Sequence, residues 1–176
     1  MSLIQSPAQD EYPAAFADYV GRIPSHADVT ELLAGQLSDT SSRLAELPES
    51  RGGFRYSPGK WSVKDVVGHV SDTERIMVYR ALRLARGDTT PLAGFDQNTY
   101  VPEAGADARA LGDMIDEWVA VRQATLAFVR SLPPASWSRR GTVDGNPITV
   151  RALIYVVAGH AHHHLEVLQT RYRLWD

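Results

Sequence analysis

The stretch VRALIYVVAGHAHHHLEVLQTRY, residues 150–172, decides how the rest of the chain is read. Ile154-Tyr155-Val156-Val157 favours a strand by intrinsic propensity. The surrounding pattern is helical: Leu153, Val157, His160, His164, Leu168 and Arg171 fall on one stripe. Thr149 is a good N-cap residue, and Ile148 and Leu153 stand at the two hydrophobic-staple positions. A long helix is expected, with two histidines on its core face. His160 and His164 are four apart and so lie one turn above each other.

A second helix supplies a third histidine. Ser62 is its N-cap, Asp65 follows three residues on, and Trp61 and Val66 form the staple. Its core face reads Val66, Val70, Thr73, Met77 and Leu84, and Gly87 suits the C-terminal cap. His69 lies between Val66 and Val70 on that face. Three imidazoles from two helices can therefore meet in the interior. Buried imidazoles need partners, and one divalent cation satisfies all three. Three neutral imidazoles suit Zn²⁺, Ni²⁺, Cu²⁺ or Fe²⁺ and leave a coordination position open, as catalytic sites do. The competing reading is a set of core histidines with ordinary hydrogen bonds, because a His pair at this spacing is a short motif.

Two known patterns are absent. No glutamate stands three residues before a candidate ligand, which removes the di-iron carboxylate motif. His160-Ala161-His162-His163-His164 lacks the internal glutamate of a zincin. His162 points away from the site, His163 is a candidate to support a ligand, and His26 lies in a loop. Asp65 and Asp72 flank His69 and can orient its ring, although Asp65 also suits the helix start. Glu74 is expected to pair with an arginine. Asp96, Asn98 and Tyr100, in the connection 88–106, are candidates to cap the open side of the metal. Asp96 is the candidate for a residue near the substrate. Arg122 and Gln123 are weaker candidates.

Three further segments complete the frame. A short leading helix runs from Pro13 to about Val20, with Tyr12, Phe16 and Tyr19 at helical spacing. A long helix runs from Asp28 to Leu47, with Leu33, Leu37, Leu44 and Leu47 as its stripe. Another runs from Asp107 to Leu132 through Leu111, Ile115, Trp118, Val121, Thr125 and Phe128. Residues 141–147 read as a loop, and no run alternates as a strand would. The expected fold class is all-α: a four-helix bundle with a short N-terminal helix. Residues 1–176 form one domain, and residues 1–27 are an extension packed on the bundle.

The chain has no cysteine, which excludes a disulfide framework, a thiolate nucleophile and Cys-ligated clusters. A net charge of -3 argues against nucleic-acid binding. No stretch reaches the length of a membrane span. The first residues lead no basic region into an apolar run, so a cytoplasmic location is expected.

RYSPGKWSVKDVVGHVSDTERIMVYRALRLARGD (residues 55–88), TPLAGFDQNTYV (90–101) and the closing stretch together resemble the DinB/YfiT-like superfamily. Trp61-Ser62 followed by Gly68-His69, and Gly159-His160-x-x-His163-His164, carry the resemblance. It implies up-down-down-up topology, a homodimer and a divalent metal, Zn or Ni foremost. The ligands it implies are His69, His160 and His164. The activity it implies is metal-dependent hydrolysis of a small molecule through a metal-bound water. Two alternatives stand beside it: S-transfer or isomerisation with a low-molecular-weight thiol, and a non-enzymatic metal- or ligand-binding stress protein. A basic pocket would favour the thiol reading, with Arg80, Arg83 and Arg86 on the second helix as its source.

Overall fold

A computed structural model describes residues 4–175; residues 1–3 of the expected extension and residue 176 lie outside the described residues. The helices are α1 (Ala17–Gly21), α2 (Val29–Ala45), α3 (Glu49–Gly52), α4 (Val63–Ala85), α5 (Gln97–Glu103), α6 (Leu111–Arg130) and α7 (Val150–Thr170). The expected caps hold. The Asp28 carboxylate accepts from the N–H groups of Thr30 and Glu31, and Thr149 Oγ accepts from Ala152 N–H. Ser62 and Asp65 form a reciprocal capping box at the start of α4. At its end Gly87 takes a left-handed φ of 81°. Gly87 N–H then donates to Leu84 O and Asp88 N–H to Arg83 O, the Schellman closure.

Helix α6 begins at Leu111, later than the expected Asp107. Residues 106–108 form a separate 3₁₀ turn, and Asp107 instead pairs with Arg55 and accepts from the Ser62 hydroxyl. A carboxylate from α3 supplies the missing cap: Glu49 accepts from Leu111 N–H at 2.7 Å.

Pairwise contacts give the helix directions. Lys64 bonds the Arg109 carbonyl and Glu74 bonds Arg122, so α4 and α6 run parallel. Gln36 bonds the Ala158 carbonyl and Trp175 bonds that of Arg43, so the chain through α2 runs with that through α7. The Tyr172 hydroxyl donates to the Trp61 carbonyl beyond one end of the α4–α7 contact, and His69 faces His160 further in, so that pair is antiparallel. The bundle is up-down-down-up. Parallel α4 and α6 cannot be joined by a tight turn, so the chain must return along the bundle. Residues 86–110 do this. Their middle, expected to be irregular, contains α5.

A two-stranded sheet departs from the expected loop. β1 (Arg140–Val143) and β2 (Asn146–Thr149) pair antiparallel, with Val143 opposite Asn146. Asp144 and Gly145 both have positive φ, 50° and 73°, as a two-residue hairpin turn of the primed type requires. Pro147 is tolerated because β2 has one partner strand. Leu92 bonds the hairpin on both sides, through Thr142 O and Asp144 N–H, and so pins the start of the return segment.

Helix α7 is buried on nearly every face from Ala152 to Ala161. That is why the strand-prone 154–157 segment is helical: tertiary burial overrides propensity. Helix α6 buries Arg122, Leu126 and Val129 deeper than the expected Val121 and Phe128. Arg122 is 0 % exposed and grips both carboxylate oxygens of Glu74 at 2.8 and 2.9 Å. It also donates to Gln36 Oε1, tying α2, α4 and α6 together. Glu74 thus has its expected arginine.

The N-terminal segment is anchored by Glu11, which accepts from Thr149 Oγ at 2.8 Å and Arg151 Nε at 2.9 Å. Burial alone would raise its pKa. Hydrogen bonds from Arg151, Thr149 and Ala8 N–H outweigh burial and hold the carboxyl below its usual range.

Arg122→Met strands the Glu74 charge, and urea unfolding is expected to show a loss of about 3–5 kcal/mol. For Glu11 the folded pKa lies below the unfolded value of 4.5, so its contribution is complete above that pH and lost as pH falls through the folded value. Glu11→Gln is expected to be weaker by about 1–3 kcal/mol at pH 7. Its deficit should shrink in urea titrations carried below the unfolded value.

Candidate metal centre

Because α4 and α7 are antiparallel, the first half of α4 faces the second half of α7. His69 on α4 meets His160 and His164 on α7 there. His69 Nε2 lies 3.0 Å from His160 Nε2, and His164 Nε2 lies 3.1 Å from the same atom. One donor atom from each ring falls within 4.8 Å of the others. His69 and His160 are buried and His164 is half-buried.

Hydrogen bonding does not satisfy this cluster. A neutral imidazole Nε2 carries one proton or one lone pair, and His160 Nε2 faces two other nitrogens at contact distance. A cation accepted by all three lone pairs removes the conflict. Protonation does not, because burial keeps the rings neutral. It lowers the His69 pKa to about 4 and the His164 pKa to about 3, and pushes His160 well below its ordinary value. The neighbouring imidazoles add to that effect. At neutral pH the three are in the ligating state before any metal arrives. The donor set therefore fits a divalent ion.

Aromatic side chains hold the rings. Trp61 leans over His69 with centroids 4.8 Å apart. Tyr19 sets its edge on His160 at 5.3 Å and on His163 at 5.7 Å. Tyr19 comes this close because residue 159 is glycine: a Cβ there would lie 1.9 Å from the Tyr19 carbonyl oxygen.

The histidines line one part of a cavity of about 390 Å³. Phe16 and Tyr19 come from the N-terminal segment, Phe95 and Gln97 from the return segment, and Asp144 and Ile148 from the hairpin. On α4, Thr73, Met77 and Arg80 continue the face that carries His69.

The other sequence candidates fall in several places. His163 lines the cavity, and burial lowers its pKa. His162 and His26 are exposed. Asp65 serves the capping box and Arg55. Asp72 pairs with Arg75 on the same helix. Asp96 caps α5, its Oδ1 accepting from Asn98 N–H at 2.8 Å, while its neighbours Phe95 and Gln97 line the cavity. Asn98 and Gln123 are exposed, Tyr100 packs on Phe95, and Arg122 belongs to the Glu74 pair. Of the three arginines on α4, Arg80 lines the cavity. Arg83 bonds Asp88 and Tyr79, and Arg86 is exposed. The hairpin and Tyr19 contributions were not anticipated. The Asp144-Gly145 dipeptide was the available signal for the hairpin.

A helical bundle with a three-histidine cluster between antiparallel helices is the class these features define. The family comparison agrees: the model of the DinB superfamily matches residues 32–168, and the chain belongs to that superfamily. No curated protein matches the sequence. Among solved structures the chain is similar to YfiT from Bacillus subtilis, described as a probable metal-dependent hydrolase with an unusual four-helix bundle topology. That likeness has a TM-score of 0.70 at 17 % identity and covers 93 % of this chain and 91 % of YfiT. The chain is also similar to a mycothiol-dependent maleylpyruvate isomerase, with a TM-score of 0.66 at 14 % identity. There the match covers 82 % of this chain and 61 % of the isomerase. At these identities the likeness establishes the fold. Among the described residues no helix is long and apolar enough to cross a membrane.

Gly159→Ala tests the packing of the N-terminal segment against the site. The added methyl group is expected to push Tyr19 off His160 and to cost about 1–3 kcal/mol. Amide exchange in residues 17–21 should accelerate, while the amides at the centre of α6 stay protected.

Proposed function

We propose that this chain is a metal-dependent enzyme acting on a small molecule, with His69, His160 and His164 holding a divalent ion, Zn²⁺ or Ni²⁺. One observation carries the reading: His160 Nε2 lies within 3.1 Å of both other Nε2 atoms, in a cluster held neutral beside a cavity. When bound, the ion supplies a Lewis acid with a position left for water or a substrate atom. The chain's own residues do the rest. Trp61 and Tyr19 fix the rings and restrict water, and the apolar walls from Phe16, Phe95 and Ile148 take the body of a ligand. Hydrolysis is the first reaction class in this reading.

Thiol-dependent transfer or isomerisation is the second, and a specific feature favours it. Arg80 brings a cation into the cavity, as the carboxylates of small thiols would require. The absence of cysteine fits, because the nucleophile would arrive with the cosubstrate.

The test is metal content by mass spectrometry on tag-free protein. About one ion per chain is expected in the wild type, with loss in His69→Ala and His160→Ala variants that keep their helical circular dichroism. Absence of metal after incubation with Zn²⁺ or Ni²⁺ would overturn both reaction classes. In the Co²⁺ form, a spectral shift on adding a small thiol favours the second class over the first.

A further inference from the structure

Arg80 is a buried cation with no acidic ion-pair partner among the described residues. It is 4 % exposed and lines the same cavity as the three histidines. Its Nη2 donates to the Ala93 carbonyl at 2.7 Å, its Nη1 touches Met77 Sδ at 3.5 Å, and its Cζ lies 5.5 Å from the centroid of the Phe95 ring. Among the described residues no carboxylate is within ion-pair distance of it. The carboxylate lining the cavity is Asp144, exposed on the hairpin turn and packed against Gly94, and it acts on Arg80 from beyond that distance.

The contrast with Arg122 is informative. That guanidinium is also buried, and Glu74, Gln36 and the Leu33 carbonyl use its donors. Arg80 has five N–H donors and spends them on one carbonyl and a sulfur. A buried guanidinium with donors to spare is destabilising unless something in the cavity pairs with it. A carboxylate matches the guanidinium fork and carries the single negative charge that one arginine neutralises.

Spacing along α4 sets the shape of the partner. His69, Thr73, Met77 and Arg80 share one helix face. The first and last are eleven positions apart, about 16–17 Å along the axis. Long helical side chains lean back towards the N-terminus, so the guanidinium closes part of that gap. Thr73 stands between them with a buried hydroxyl that has no hydrogen-bond partner among the described residues.

We propose that Arg80 anchors a carboxylate of the molecule the cavity takes: an elongated acid whose other end reaches the three histidines. This rests on the metal-dependent reading but favours neither reaction class.

ω-Mercaptoalkanoates of three to eight methylenes, compared with ω-mercaptoalcohols of equal length, test this by calorimetry on the Zn²⁺-loaded protein. The acids are expected to bind about tenfold or more tighter than the alcohols. The advantage should peak at one chain length and vanish in Arg80→Met, with metal content unchanged and Tm no lower than in the wild type. Equal affinity of acid and alcohol in the wild type, or an undiminished advantage in Arg80→Met, overturns the proposal. The wild-type comparison stands alone if that variant fails to fold. Hexanoate against hexanol on the metal-free protein gives a readout independent of the ion. An acid preference there, in a protein that binds no metal, supports the Arg80 anchor and sinks the metal reading. Bound metal with no acid preference in the loaded protein does the reverse.

Discussion

Helix α7 is covered on nearly every face between Ala152 and Ala161, and a helix so placed has no side on which a polar group can meet bulk water. Three features follow from that burial. Gln36 is buried with its amide on the Ala158 carbonyl. Residue 159 must be glycine, because the Tyr19 backbone occupies the space of its Cβ. His160, the next residue, can meet its polar requirement only through what faces it, and His69 and His164 face it. The geometry of the site is thus set by the burial of the helix that carries it.

Two buried polar clusters sit in the same bundle and are resolved differently. Glu74 neutralises Arg122, Gln36 accepts a further guanidinium proton, and the remaining donors end on the Leu33 and Ala158 carbonyls, so the cluster is satisfied within the protein. The three histidines do not close. Their facing nitrogens lack enough protons to bond one another, and burial keeps additional protons off. Arg80 is open in the same sense. A fold that pairs one interior guanidinium fully and leaves another with spare donors beside the unsatisfied imidazoles has concentrated its unmet polar demand around one cavity. Such concentration separates a site from a scaffold.

The sequence made the frame readable because the relevant forces are local. Asp28, Ser62 and Thr149 mark helix starts by bonding N–H groups two or three residues away, and Gly87 marks an end by its φ. His69, His160 and His164 were legible because helical phase fixes which way a side chain points. Arg80 was in that phase too, but an arginine on a long helix is ordinarily solvated, and its burial depends on Ala93 and Phe95 folding back over it. The hairpin was missed because Pro147 argues against a strand, and Pro147 is acceptable here because β2 has no second neighbour among the described residues. Asp107 looked like a helix start, yet its carboxylate is used by Arg55 and Ser62, contacts that no local pattern reveals.

Topology explains why the cavity has a roof at all. Four helices joined by short turns would run alternately up and down, leaving the groove between α4 and α7 open along its length. Parallel α4 and α6 forbid that. The chain leaves α4 at Gly87 and must travel back before α6 can begin at Leu111. Leu92 binds this return path to the hairpin, so Gly94, Phe95 and Gln97 are held against the cavity. The Ala93 carbonyl meets Arg80 on the way. The segment that the helix directions make obligatory is therefore also the one that shapes the ligand space. Loop composition there can change what the cavity accepts while the three histidines, fixed by two helices, stay where they are.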